Sequence, residues 1–240
     1  MSTESGRKGS LYLIPALLGE GTIKVIPEYV KALVAQLKEF VVENEKSARR
    51  FLRSIGYKED FDQVTLHSLG KHTNPEEIYH YLDNAEKGVN IGLISEAGAP
   101  GVADPGAEIV LLAHRKRIKV IPLVGPSSIL LALMASGMNG QSFAFHGYLP
   151  IDSKERGRAL KQLEMRSLQE AQTQIFMEAP YRNNKLLDDI LKYCHEETLL
   201  CIAANITLSN EFIKTDNINK WKKSKPDLHK KPCIFLLYRQ

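Results

Sequence analysis

NIGLISEAGAPGVADPGAEIVLLAHRKRIKVIPLV, residues 90–124, decides the fold. NIGLIS (90–95) and IKVIPLV (118–124) are apolar runs rich in β-branched residues, the composition of strands covered on both faces. AEIVLLAHRKR (107–117), between them, has the spacing of an amphipathic helix. Strand, helix and strand in this order form the repeating piece of an α/β protein. The connection ISEAGAPGVADPG (94–106) carries three glycines and two prolines, where a chain that only had to turn would need about four residues. It leaves a strand at its carboxyl end, which in open α/β sheets is where ligands bind. Asp104 and Pro105 are explained as a helix cap and a first helical residue. Gly98-Ala99-Pro100 is not, and is read as backbone shaped to approach a ligand.

The same alternation extends in both directions. Upstream lie the apolar run LYLIPAL (11–17), a helix in 25–38, the short strand FVVE (40–43) and a helix over 46–56. Asn74-Pro75-Glu76-Glu77 caps a further helix that runs to about Gly88. Downstream the pattern restarts with SSILLALMASG (127–137), then SFAFHGYL (142–149) and a charged amphipathic helix over 153–170. QIFMEAP (174–180), LLCIAANIT (199–207), NEFIKT (210–215) and CIFLLYR (233–239) follow as strands, the first two flanking the helix YRNNKLLDDILKYC. The expectation is an α/β protein of two domains, 1–124 and 125–240, each with a mainly parallel sheet.

Composition sets bounds on function. The chain has 240 residues, 43% hydrophobic and 25% charged, the balance of a soluble globular protein. No stretch reaches the roughly eighteen apolar residues of a membrane span. MSTESGRKGS (1–10) has no apolar core and reads as a short tail, not a secretory signal. Three widely spaced cysteines, Cys194, Cys201 and Cys233, fit a reducing cytoplasm and argue against a disulfide framework or a zinc site. A net charge of +4 permits a nucleic-acid partner without requiring one.

Two more small-residue turns follow strands: PALLGEG (15–21) and VGPSS (124–128). The serines of the second suit either a helix cap or a polar ligand group at a helix start. Three such turns at strand ends point to a pocket. None is a dinucleotide fingerprint, a P-loop or a nucleophile elbow, and the histidines lack metal-ligand spacing. His146 reads as a satisfied core or dimer-face histidine.

LYLIPALLGEG, ISEAGAPGVADPGAEIV, VIPLVGPSSILLALMASGM and FAFHGYLP, in that order, resemble the tetrapyrrole methylase superfamily. Within it the chain is similar to the branch of the small-subunit ribosomal RNA cytidine 2′-O-methyltransferases. The resemblance implies S-adenosylmethionine (SAM) as cofactor, bound in a cleft between two α/β domains, and a homodimer. It puts Pro15 and Leu18 of the first turn beside SAM. The S-D-A-G-T-P motif reads Ser95-Glu96-Ala97-Gly98-Ala99-Pro100, so Gly98, Ala99, Pro100 and Val102 line the methionine side. P-G-P-[SC]-A reads Val124-Gly125-Pro126-Ser127-Ser128, which brings Ser127, Ser128 and Ile129 to the cofactor. Met177, Ala203 and Cys233 match positions around the adenine.

The departures from the pattern concern the substrate side. The family's A-E-D-T-R is Val42-Glu43-Asn44-Glu45-Lys46, and its A-R-E-L-T-K is Ala203-Ala204-Asn205-Ile206-Thr207-Leu208. P-T-P-I-G-N becomes Pro15-Ala16-Leu17-Leu18-Gly19-Glu20, and K-G-E becomes Lys231-Pro232-Cys233. Methylation of a ribose hydroxyl needs that oxygen oriented and its proton removed, for which Glu96, Glu43 and Lys46 are the candidates. Lys46, Arg49, Arg50 and Arg53 on one helix, and the six lysines of KWKKSKPDLHKK (220–231), offer positive surface for RNA. The leading expectation is a SAM-dependent methyltransferase of ribosomal RNA or the small ribosomal subunit. Methylation of a tetrapyrrole, another small molecule or a protein is the second, and a SAM-binding, ribosome-associated protein without catalysis is the third.

Overall fold

The computed structural model describes residues 7–70 and 73–240. Residues 1–6 of the opening tail, with Lys71 and His72, lie outside the described residues. The chain divides into two compact units, Met1–Ser127 and Ser128–Gln240.

In the first unit the elements are β1 (Ser10–Ile14), α1 (Glu28–Val34), β2 (Glu39–Val42), α2 (Glu45–Ser54), β3 (Thr65–Ser68), α3 (Pro75–His80), α4 (Asp83–Glu86), β4 (Ile91–Ile94), α5 (Gly106–Arg115) and β5 (Lys119–Pro122). The strands form one sheet in the order β3-β2-β4-β1-β5, every pair parallel. All carboxyl ends therefore face the same way, and the loops after the adjacent strands β4, β1 and β5 collect at one edge. Residues of β1, β2 and β4 are buried on both faces, by one core around Phe40, Val30 and Leu52 and another around Leu82, Ile91 and Ile109.

Two details differ from the sequence expectation. TLHS forms the edge strand β3, which the pattern did not mark because an edge strand pairs on one side only and stays partly exposed. Asn74 does cap its helix, accepting from the Glu76 N–H at 3.0 Å. The helix then breaks at Tyr81-Leu82 instead of running to Gly88. Leu82 is fully buried and the Tyr81 hydroxyl donates to the Ser68 carbonyl at 2.7 Å, so tertiary contacts override helical periodicity there.

The second unit runs α6 (Ser128–Ser136), β6 (Phe143–Tyr148), α7 (Ser153–Glu170), β7 (Thr173–Met177), α8 (Asn183–Tyr193), β8 (Leu199–Ala204), β9 (Phe212–Asn217), α9 (Ile218–Lys223) and β10 (Cys233–Tyr238). Its sheet order is β6-β7-β10-β8-β9. Only β6 and β7 are parallel; β10 is antiparallel to both β7 and β8, and β8 to β9. The expected α/β half is present, but its sheet is mixed and not mainly parallel. The apolar run of β10 comes from its central place, with Cys233 to Leu237 buried on both faces, and such a run reads the same in either direction. The turn at 205–211, with Asn205 and Thr207 in left-handed conformations, is short enough to return the chain antiparallel.

Among the described residues no helix is long and apolar enough to cross a membrane. All three cysteines are free and buried.

Candidate functional site

The loop after β4 is tied to the turn after β1. Ala16 donates to the Gly98 carbonyl at 2.9 Å and Gly98 donates to the Ala16 carbonyl at 3.2 Å. Gly98 (φ +73°) and Gly101 (φ +79°) take left-handed conformations open to glycine at little cost. A Cβ at Gly98 would lie 3.3 Å from Leu18 Cδ2 and 3.7 Å from the Pro126 carbonyl, so the glycine keeps a narrow space between the first and third turns. Gly125 packs directly on Pro15, where any Cβ would come within 2.2 Å of the ring. Pro15, Leu18, Gly98 and the 124–127 turn thus stand side by side in the first unit. Ala99 is half-buried, Pro100 buried and Val102 exposed.

Asp104 holds the far end of this loop. Its carboxylate accepts from Gly101 N–H at 2.9 and 3.0 Å and from Gly106 N–H at 2.7 Å. The helix cap itself falls on Pro105, one residue later than the sequence suggested, while Asp104 closes the loop onto the helix start. Burial pushes the Asp104 carboxyl up, against the pull of those N–H groups.

Beside the loop lies a pocket of about 420 Å³, lined by residues 16–21, by Val42, Glu43 and Asn44, by α2 and by residues 94–97. Ser47, Arg50, Phe51 and Ser54 face it, at helical spacings of three and four. Ala48 and Leu52 of the same helix are buried among core residues. Of the candidates, Leu18, Glu43 and Glu96 line the pocket, whereas Lys46 is exposed on the first turn of α2 and outside the lining. Glu43 accepts from the Glu96 N–H at 3.0 Å, and Ser47 Oγ donates to the Glu96 carboxylate. Burial raises the Glu43 carboxyl, the nearby Asp104 and Glu96 carboxylates add to this, and the Glu96 N–H opposes it. Ser47 and Phe51 escaped the sequence reading. The signal was there as the small-and-aromatic stripe 47, 51 and 54 within a basic helix.

That helix does not present one positive face. Arg50 reaches Glu20 at 3.4 Å beside the pocket, Arg49 pairs with Glu45, and Arg49 and Arg53 lie over the Phe61 ring at 5.3 and 4.4 Å. Three of the six lysines in the tract near the C-terminus are similarly committed. Trp221 is buried and donates to the Leu200 carbonyl at 2.9 Å. Around it Lys220, Lys222 and Lys225 pair with Asp216, Glu196 and Asp188.

In the second unit Met177 and Ala203 both stand opposite Ile234, on one face of three adjacent strands. Antiparallel partners share a face, and α6, which opens with Ser128 and Ile129, packs on β9 and β10. Ser127 and Ser128 are half-buried and Ile129 is buried. Cys233, opposite Ala204, turns its side chain into the core on the other face, with Sγ 3.3 Å from the Lys231 carbonyl. Burial pushes its thiol up to about 12, so it is chemically inert near neutral pH. His146 bonds Gln174 at 2.7 Å, a satisfied contact on β6.

Comparison with known proteins agrees with this architecture. A sequence model of the tetrapyrrole (corrin/porphyrin) methylases matches residues 18–220. The chain is 29% identical over 232 residues to a ribosomal RNA small subunit methyltransferase I of Pasteurella multocida, covering 95% of this chain and 79% of that one. It is 30% identical over 237 residues to the enzyme of the same name from Buchnera aphidicola subsp. Schizaphis graminum, covering 96% and 78%. Among solved structures its fold is similar to the methyltransferase CobJ, with TM-score 0.62, 18% identity and coverage of 96% and 94%. It is also similar to uroporphyrin-III C-methyl transferase from Thermus thermophilus complexed with S-adenyl homocysteine, with TM-score 0.57, 16% identity and coverage of 96% and 98%. The chain belongs to the tetrapyrrole (corrin/porphyrin) methylase family.

Proposed function

We propose that this protein transfers a methyl group from SAM to a ribose 2′-hydroxyl of ribosomal RNA, and that it works as a cytoplasmic homodimer. Similarity to ribosomal RNA methyltransferases along 95% of the chain carries the choice of acceptor. The bond pair between Ala16 and Gly98, which fixes two small-residue turns side by side, supports the position of the donor.

SAM, when bound, supplies an electrophilic methyl group. The narrow gap that Gly98 keeps between Leu18 and the Pro126 carbonyl suits the methionine end, with Pro15, Ala99, Pro100, Val102 and Ser127 around it. Ser128 and Ile129 are further proposed contacts of the cofactor, and Met177, Ala203 and the backbone of Cys233 are the residues proposed for its adenine. The neighbouring pocket would receive the acceptor nucleoside, its apolar wall of Leu17, Leu18 and Phe51 facing the base. Glu43 is the proposed general base: half-buried, raised by burial and anchored by the Glu96 N–H, it can hold a proton taken from the 2′-oxygen. Ser47 and Glu96 position that wall of the pocket and do not carry the proton.

The homodimer is supported by apolar surface left on the second unit, where Leu130 and Met134 of α6 are 51% and 79% exposed. Sedimentation at micromolar concentration tests it, and a monomer there would remove this part of the proposal.

The decisive experiment gives the purified protein methyl-labelled SAM and an unmodified transcript of small-subunit ribosomal RNA, free and assembled into subunits. Digested nucleosides should contain a 2′-O-methyl product. Label in a tetrapyrrole or in protein, with none in RNA, would assign another acceptor; label in none of them would leave a SAM-binding protein without transfer activity.

A further inference from the structure

A chain of charged contacts in the second unit runs from the interior to the surface. Arg156 on α7 is wholly buried, held by the Asp189 carboxylate and by the carbonyls of Pro150 and Ile151 at 3.2 and 3.1 Å. Its Nη1 is 3.9 Å from Glu178 Oε2, which is equally buried and accepts no hydrogen bond among the described residues. The other oxygen of Glu178 accepts from Arg182 Nη2 at 2.6 Å. Arg182 donates in turn through Nη1 to the Tyr181 hydroxyl at 3.0 Å, with its guanidinium 5.1 Å from the centre of that ring.

The chain ends in open surface. Tyr181 is 64% exposed. Tyr148, at the end of β6, stands opposite Met177, is 60% exposed and lies within electrostatic reach of the same guanidinium. Burying charges in this manner is no efficient route to stability, since apolar packing of the same volume often does as well. What the arrangement achieves is order: a long arginine and a tyrosine that would otherwise sample many rotamers are held in one place. Flat aromatic faces beside a fixed guanidinium plane are what unpaired nucleobases stack on. Positive charge flanks them. Lys185 is exposed one helical turn beyond Arg182, and the Lys230 N–H bonds the Pro180 carbonyl at 3.0 Å, next to Tyr181. Neither lysine is in an ion pair within 4 Å among the described residues, in contrast to Lys220, Lys222 and Lys225, so both can meet phosphate.

We propose that Tyr148, Tyr181 and Arg182 form a platform on which unpaired bases of the RNA substrate stack, with Lys185 and Lys230 at the adjoining phosphates. The proposal rests on the ribosomal RNA reading above, and it adds a surface outside the pocket and the methyl-donor loops.

Binding of an unmodified small-subunit ribosomal RNA transcript, followed by fluorescence anisotropy, tests it alongside calorimetric SAM titration and sedimentation. Tyr148→Ala and Tyr181→Ala should each weaken RNA binding about tenfold, the scale of one lost stacked base. Tyr148→Phe should bind as wild type, and Tyr181→Phe, which keeps the ring but loses its bond from Arg182, should fall between wild type and the alanine variant. Arg182→Lys should bind more weakly, and SAM affinity should stay unchanged throughout. If wild type methylates the transcript while both alanine variants bind it as tightly, the platform is wrong and the acceptor reading stands. Alanine variants that lose self-association and keep RNA affinity would make this face a contact between copies and overturn the proposal. A transcript that wild type neither binds nor methylates overturns both.

Discussion

Ala16 and Gly98 exchange backbone hydrogen bonds in both directions, although eighty-one residues, from 17 to 97, separate them in the chain. This two-bond bridge extends the β1–β4 pairing past the sheet edge, with the local direction reversed from parallel to antiparallel. It turns two flexible small-residue loops into one preformed surface, so little ordering cost remains for a ligand that settles there.

Ala99 is the position at which that surface can be filled without touching the bridge. Ala99→Phe is expected to lower SAM affinity by about tenfold or more, roughly 1.4 kcal/mol, with little change in melting temperature. Calorimetric titration and a thermal melt of both proteins check it. Unchanged affinity in the variant would move the methyl-donor site away from residues 94–106.

Glu43 carries the proposed proton transfer. Because its carboxyl is raised, and a base works only when deprotonated, the rate of methyl transfer should climb as pH rises through the raised Glu43 value and level off above it. Glu43→Gln should abolish that limb and lower the rate by about a hundredfold, with SAM affinity intact. A rate profile of the variant that still follows the wild-type limb would assign the base elsewhere.

Glu39, in β2, is a second titrating carboxylate with the opposite sign. Burial alone would raise it, but hydrogen bonds accepted from His67 at 2.8 Å and from Asn84 at 3.1 Å, with the charge of His67, hold it below its ordinary range. A folded value below the unfolded one means that its stabilising contribution is complete above the ordinary carboxylate range. It is lost as pH falls through the folded value. Glu39→Gln should cost roughly 1–3 kcal/mol at neutral pH and flatten the acid side of the stability curve. Urea unfolding of both proteins across the acid range measures it.

Trp221 separates structure from charge in the lysine-rich tract. Trp221→Ala should destabilise the second unit by about 3–5 kcal/mol, since it empties a core site and removes the hydrogen bond to the Leu200 carbonyl. Lys222→Ala and Lys225→Ala, each breaking only an exposed ion pair, should change stability by about 1 kcal/mol or less and leave RNA binding nearly unaltered. A large loss of RNA affinity in the lysine variants would return Lys222 and Lys225 to the binding surface.

The sequence by itself determined the alternation of elements, the restart after Val124, and the loops that end β1, β4 and β5. These are local properties: periodicity, β-branching, and the backbone freedom of Gly98 and Gly101, which no neighbour had to supply. The motif order also carried the family, because it lies in short stretches whose residues are read one by one. Strand direction in the second sheet was not local. CIFLLYR is apolar because β10 is central, and the insertion of β10 between β7 and β8, not its composition, sets its antiparallel course. The same holds for charge. Lys46, Arg49, Arg50 and Arg53 look alike in the chain, yet tertiary packing sends Arg49 and Arg53 onto Phe61 and leaves Arg50 beside the pocket. Only the folded chain brings Ser47 to Glu96, Glu43 to the Glu96 N–H and Glu178 to Arg156. Each of those contacts that joins separate elements depends on the relative placement of those elements, which the core packing decides and no single segment encodes.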